Sequence, residues 1–220
     1  MNWRRAAADG LGTALLLAAV VGSGIMGERL AQGNDAIALL ANSLATGFAL
    51  AALIVAFAPR SGAHFNPVVT LVLAWRGDVE KRDALPYIVI QFIGALAGVA
   101  VAHLMFDLPL LQYSVKARSS PGLWLSEVVA TFGLVLIVLS CDGKRPWAAP
   151  LAVSGYIAAA YWFTASTSFA NPAVTLARGF TDTFAGIELN HVLPFILAQL
   201  IGAGLALGAD RLTRGTSQLR

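Results

Sequence analysis

Asn66-Pro67-Val68-Val69-Thr70-Leu71 and Asn171-Pro172-Ala173-Val174-Thr175-Leu176 are near copies of one another, and their repetition decides how this chain folds. A single Asn-Pro is ordinarily a surface turn. Two of them, set among long apolar runs at matching places, carry more information. Asparagine is a strong helix N-cap, and proline fits the first helical position, where its missing N–H costs nothing. Each pair therefore marks a helix start, over 67–75 and 172–180. At about 1.5 Å per residue such segments reach roughly half way through a hydrocarbon core of ~30 Å. They can dip into a membrane but cannot cross it.

Working outward, the duplication extends along the chain in register. Asp9-Gly10-Leu11-Gly12-Thr13 matches Glu127-Val128-Val129-Ala130-Thr131, an acid four positions before a threonine. Pro86 to Ala95, with Gln91 and Gly94, matches Pro194 to Ala203, with Gln199 and Gly202. Each copy holds three apolar spans, and an odd number of crossings sends the second copy into the membrane from the opposite side. The expected organisation is a first repeat at 1–106, an outer linker at 107–122, a second, inverted repeat at 123–209 and a cytoplasmic tail at 210–220.

Composition agrees with a membrane protein. The chain has 220 residues, 57% hydrophobic and only 12% charged, about half the charge of an ordinary soluble domain. Spans long enough to cross as helices are expected at 9–28, 36–57, 84–106, 123–141, 147–165 and 190–209. The fold class is all-α, six transmembrane helices plus two re-entrant half-helices in an inverted 3+3 repeat. The net charge of +3 does not point to nucleic acid, because its placement is one-sided. Arg4, Arg5, Arg60, Arg76, Lys81, Arg82, Lys144, Arg145, Arg211, Arg214 and Arg220 fall on one side of the six-span scheme, with Arg29, Lys116, Arg118 and Arg178 on the other. That bias puts both termini in the cytoplasm. Trp3, Trp75, Trp124 and Trp147 sit near span ends as interfacial anchors. Arg4 and Arg5 before an apolar stretch imitate a secretory signal, but the stretch is as long as a full span and has a counterpart later in the chain. The lone Cys141 has no partner for an internal disulfide.

The paired half-helices define a site. Entering from opposite faces, they would meet head to head halfway across, and the non-helical backbone before them is tolerable at that depth only if it lines a wet cavity. Each asparagine can cap its helix with its carbonyl and turn its N–H₂ donors into the lumen. The facing N-termini, roughly +0.5 charge each, repel cations, while loop carbonyls supply acceptors for neutral solutes.

With Ser61-Gly62-Ala63-His64-Phe65-Asn66-Pro67-Val68, the second Asn171-Pro172-Ala173, the paired acid-x-x-x-Thr starts and the paired Gln-x-x-Gly spans, the chain resembles the major intrinsic protein family over about residues 9–209. The resemblance implies an aquaporin-like, right-handed six-span bundle, one pore per subunit, and a homotetramer in the lipid bilayer. It assigns the constriction to Asn66, Pro67, Val68, Asn171, Pro172 and Ala173. Pore-lining carbonyls fall at Gly62, Ala63, His64, Phe65, Phe169 and Ala170, and loop bracing from behind at Asp9 and Glu127. Val68 departs from the common form, and only a mild effect on the constriction is expected.

In most water and glycerol channels of this family an arginine follows the second Asn-Pro-Ala; here it is Val174. The other filter positions map by spacing to Thr46, Ala159 and Ser168, with a one-residue slip open at Ala159. Such a ring is wide and weakly polar, with no aromatic group and no fixed charge, so solutes larger than water are expected to pass. For Arg178 an i,i+4 pair with Asp182 is preferred over a stand-in for the missing charge. The stretch Asn171 to Ile187 is similar to a bacterial branch associated with arsenic resistance, which implies an inner-membrane location and arsenite, antimonite or methylated arsenicals as solutes. Glycerol, water, urea, boric acid and ammonia stay open. His103 and His191 read as interface residues. No metal, cofactor or enzymatic constellation is expected. The competing class is an ion- or proton-coupled secondary transporter, for which Asp9 and Glu127 are the available acids.

Overall fold

The computed structural model describes residues 3–141 and 145–213. Lys144, Arg214 and Arg220 of the charge pattern, and positions 214–220 of the expected tail, lie outside them. Among the described residues eight helices follow in chain order: α1 Trp3–Ala31, α2 Asp35–Ser61, α3 Pro67–Arg76, α4 Lys81–Met105, α5 Pro121–Ser140, α6 Ala148–Phe163, α7 Pro172–Arg178 and α8 Leu189–Thr213. Five of them, α1, α2, α4, α5 and α8, are long and apolar enough to span a membrane. The chain is an integral membrane protein. Helix α6 has 16 residues, fewer than the expected span at 147–165, because the backbone turns extended at Thr164 to feed the second re-entrant loop.

The starts of the helices follow from their sequence. The Asn34 side chain accepts from Ile37 N to open α2, and Ser120 accepts from Leu123 N ahead of Pro121 to open α5. The half-helices α3 and α7 open on Asn66 and Asn171, with Pro67 and Pro172 in the first turn. Helix α7 stops at Arg178 rather than 180, with Gly179 and Phe180 closing it through bonds to Leu176 O and Ala177 O.

Close packing joins the long helices of each repeat through the two matched glycines. A Cβ on Gly94 would lie 2.2 Å from Gly10 O, and one on Gly202 would lie 2.4 Å from Val128 O. Only hydrogen fits at these crossings of α1 with α4 and of α5 with α8. The half-helices bind the two repeats together. Val68 and Val72 of α3 pack with Val135, Leu139, Ala203 and Ala206 of the second repeat. Ala173, Val174 and Ala177 of α7 pack with Leu17, Val21, Ala95 and Ala102 of the first. Val68 is thus buried in an apolar cluster between repeats, which explains how a side chain larger than the matched Ala173 is accommodated.

The linker from 107 to 120 does more than connect. It lies against the segment following α7, with Ser114 N donating to Gly179 O at 3.1 Å and Glu188 N to Lys116 O at 2.9 Å. His103, expected at an interface, is fully buried and ties α4 to both segments, with ring nitrogens 3.1 Å from Leu110 O and 2.8 Å from Thr181 Oγ1.

Candidate functional site: a pore between two asparagine-capped half-helices

The two re-entrant loops are held by a pair of matched clamps. Asp9, fully buried, accepts from His64 N (2.9 Å) and Ser61 Oγ (3.0 Å) on one oxygen, and from Phe65 N (3.0 Å) and Gln91 Nε2 (2.7 Å) on the other. Glu127, also fully buried, accepts from Phe169 N and Ala170 N, both at 2.9 Å, and from Gln199 Nε2 at 2.6 Å. Each glutamine reaches on to the half-helix threonine, Gln91 to Thr70 Oγ1 at 2.9 Å and Gln199 to Thr175 Oγ1 at 2.8 Å. A carboxylate surrounded by donors tolerates burial that would otherwise cost several kcal/mol. The glutamines and threonines stood out in the sequence only as repeat markers; their clamp role needed the fold.

The same loops carry left-handed backbone at Ala63, Phe65, Thr167, Ser168 and Ala170, with φ between 47° and 62°. Such non-glycine strain costs of order 1–3 kcal/mol per residue and persists where surrounding structure imposes it; here the clamps impose it. The alternation turns the carbonyls of Phe65 and Ala170 toward the facing half-helix. Asn66 Nδ2 donates to Ala170 O and Asn171 Nδ2 to Phe65 O, each at 2.8 Å. The asparagine carbonyls cap their own helices, Asn66 on Val68 N and Asn171 on Ala173 N, both at 3.0 Å. Each amide therefore has one N–H engaged across the junction and one without a protein partner among the described residues, so at most one, not two, is left to face the cavity. The Phe65 and Ala170 carbonyls each accept one of these bonds.

Both asparagines line a cavity of about 270 Å³. It starts between Arg76, Cys141 and Ala149 on the face that carries the termini and passes Gly62, Ala63, His64 and Phe65. Ser168, Phe169 and Ala170 of the second loop line it as well. Pro67, Val68, Pro172 and Ala173 are buried behind the asparagines and are not among its lining residues. His64 donates from Nδ1: Thr70 Oγ1, 3.1 Å away, already gives its proton to Asn66 O, so it can only accept from the ring.

At the far end the cavity is lined by Thr46, Ser168 and Val174 of the expected ring, but not by Ala159. Ala159 sits on the exposed side of α6. The residue of α6 at this level is Tyr161, whose hydroxyl is 3.3 Å from Thr46 Oγ1. An aromatic side chain therefore stands beside Thr46 at this end of the cavity. This end also carries a charge. Arg178 is 2% exposed and lines the cavity, with its guanidinium carbon 3.4 Å from the Phe169 ring centre and Nε donating to Ala185 O. Asp182, its expected partner, instead accepts from Val115 N at 3.1 Å. Helix α7 ends at Arg178, so Asp182 is not on a following helical turn, which the local spacing did not reveal.

Behind this wall Arg118 of the linker donates to Gly186 O (2.9 Å) and Ser166 O (3.2 Å) and lies 5.1 Å from the same Phe169 ring. Burial pushes its pKa down from 12.5 to about 10, opposed by Glu127 and Tyr161, so it remains a cation at neutral pH. His191, read as an interface residue, accepts from Arg118 N at 3.2 Å.

Comparison with known proteins places this architecture. The family model described as Major intrinsic protein matches residues 1–149. Aquaglyceroporin AqpS of Rhizobium meliloti strain 1021 is 54% identical over 208 residues, covering 94% of this chain and 89% of that protein. Aquaporin Z of Rhodopseudomonas palustris is 30% identical over 222 residues, covering 93% and 91%. A crystal structure of the aquaglyceroporin from Plasmodium falciparum shares the fold, with a TM-score of 0.75 at 20% identity over 95% of this chain and 96% of that one. With a family model covering most of its length and relatives matching nearly all of it, the chain belongs to the major intrinsic protein family, whose members are membrane channels rather than enzymes.

Proposed function

We propose that this protein is a passive channel for small uncharged polar solutes larger than water, with glycerol, arsenite, antimonite and methylated arsenicals as its solute class and water as a co-permeant. The single observation that carries the reading is the cavity lined by both Asn66 and Asn171 and bordered by Val174, where a ring arginine would otherwise narrow it. The filter is formed by Thr46, Ser168, Val174 and, in place of Ala159, Tyr161. Three short or hydroxylated side chains and one tyrosine leave hydroxyl partners and space for a triol. Arsenite at neutral pH is an uncharged trihydroxide of similar size and hydrogen bonding. The relative named an aquaglyceroporin in Rhizobium meliloti supports the same solute class.

The lumen donors are the free N–H of Asn66 and of Asn171, and the acceptors are loop carbonyls such as those of Gly62, Ala63 and His64. The protein works as a homotetramer in a bacterial inner membrane with both termini cytoplasmic, in keeping with the positive residues on the terminal face. A coupled transporter is disfavoured, because Asp9 and Glu127 are each surrounded by loop and glutamine donors that a proton-carrying acid would have to release.

The test is Val174→Arg in proteoliposomes read by stopped-flow light scattering and arsenite uptake. Glycerol and arsenite flux is expected to fall at least tenfold relative to water flux. An unchanged glycerol-to-water ratio in the folded variant would remove Val174 from the filter, and wild-type flux equal to that of empty vesicles would end the channel reading.

A further inference from the structure

The far mouth holds a charge that the ring lacks. Arg178 stands one helical turn after Val174, so both side chains leave the same face of α7, and both border the cavity. Among the described residues no carboxylate lies within ion-pairing distance of Arg178, and its one hydrogen bond there runs from Nε to Ala185 O. Another cation, Arg118, shares the Phe169 ring with it. A buried, unpaired guanidinium is costly unless something holds it. Here the Phe169 face and the Ala185 carbonyl hold it, leaving the terminal nitrogens without a protein partner at the lumen.

The segment that positions it is fixed on several sides. Ile187 N donates to Arg178 O at 3.2 Å, and Arg118 Nε holds Gly186 O at 2.9 Å. The positive charge is thus a built part of the mouth rather than a mobile surface group.

We propose that Arg178 is the cation barrier of this pore: a guanidinium displaced one turn from the ring, excluding cations while the ring beside it stays wide and uncharged. The proposal rests on the channel reading above. A unit charge within a few ångströms of a narrow, poorly hydrated path repels a cation strongly enough to change its passage by tenfold or more.

Proteoliposomes carrying wild type, Arg178→Gln, and Arg178→Gln combined with either Val174→Arg or Val174→Met test it. Glycerol flux is read by light scattering, and potassium and proton leak by entrapped dyes. Arg178→Gln is expected to raise cation leak roughly tenfold while glycerol still passes. Adding Val174→Arg restores the barrier by returning a charge to the mouth; Val174→Met, of comparable bulk but neutral, leaves the leak. A glycerol-conducting Arg178→Gln with wild-type leak overturns the proposal alone, as does equal rescue by methionine and arginine. Wild-type vesicles give a reading that needs no variant to fold. Their residual current in a potassium chloride gradient should favour chloride over potassium, and a preference for potassium overturns the proposal. Absence of glycerol flux in wild type overturns the channel reading and this inference with it.

Discussion

Replacing Glu127 by glutamine changes one atom, and the structure says which bond fails. Oε1 accepts from Phe169 N, while Oε2 accepts from Ala170 N and Gln199 Nε2. A glutamine that keeps its oxygen on the crowded side turns its N–H₂ toward Phe169 N, donor against donor. Rotating the Gln199 amide to accept from it moves the defect to Ala170 N without removing it. One fully buried backbone N–H is therefore orphaned, at about 1–3 kcal/mol, and the surviving bonds drop from charge-assisted to neutral, at about 1 kcal/mol each. Neutralising a buried carboxylate returns part of this, leaving a net loss of about 2–4 kcal/mol. For a chain of 220 residues, at about 2–4 °C per kcal/mol, the midpoint should fall by roughly 4–16 °C. Because Ala170 O is the acceptor for Asn66 Nδ2, the loop shift also loosens the junction, and glycerol flux should drop with stability. Thermal unfolding of purified protein and vesicle flux check both effects. A Glu127→Gln protein melting within about 1 °C of wild type, with full flux, would refute the bracing argument.

Asp9→Asn should be worse than Glu127→Gln, since four donors rather than three lose a charged acceptor and either His64 N or Phe65 N is orphaned on whichever side the amide nitrogen takes; a smaller melting shift than for Glu127→Gln would contradict this ordering. Gly202→Ala places a methyl 2.4 Å from Val128 O and should cost about 1–3 kcal/mol of overpacking, visible as a lower melting temperature. Tyr161→Ala removes the bulky wall beside Thr46 and should raise the flux of four- and five-carbon polyols relative to glycerol. Equal ratios in the two proteins would show that Tyr161 does not bound the filter. His103→Leu breaks bonds to Leu110 O and Thr181 Oγ1 and should lower stability by about 1–3 kcal/mol, with thermal melting as the readout.

The duplicated Asn-Pro stretches, the paired acids and the paired glycines were legible because each is local chemistry repeated. Cap, proline and apolar run specify a half-helix wherever they stand, and the duplication specifies how two of them face. The rotation of α6 about its own axis was not legible. At about 100° per residue, the two positions from Ala159 to Tyr161 swing a side chain from lipid to lumen, and the apolar sequence of α6 resembles itself on every face. The destination of Arg178 was likewise out of reach, because the i,i+4 reading assumed a helix running past Arg178, and α7 ends there.

The sequence alone therefore determined the inverted architecture and the two asparagines at its centre, since capping and repetition act over a few residues. Tertiary structure decided which side chains wall the far mouth, where the unpaired arginine points, and what the glutamines hold. Those outcomes depend on helix rotation and on a linker whose path is set by contacts some seventy positions apart, such as Val115 with Asp182.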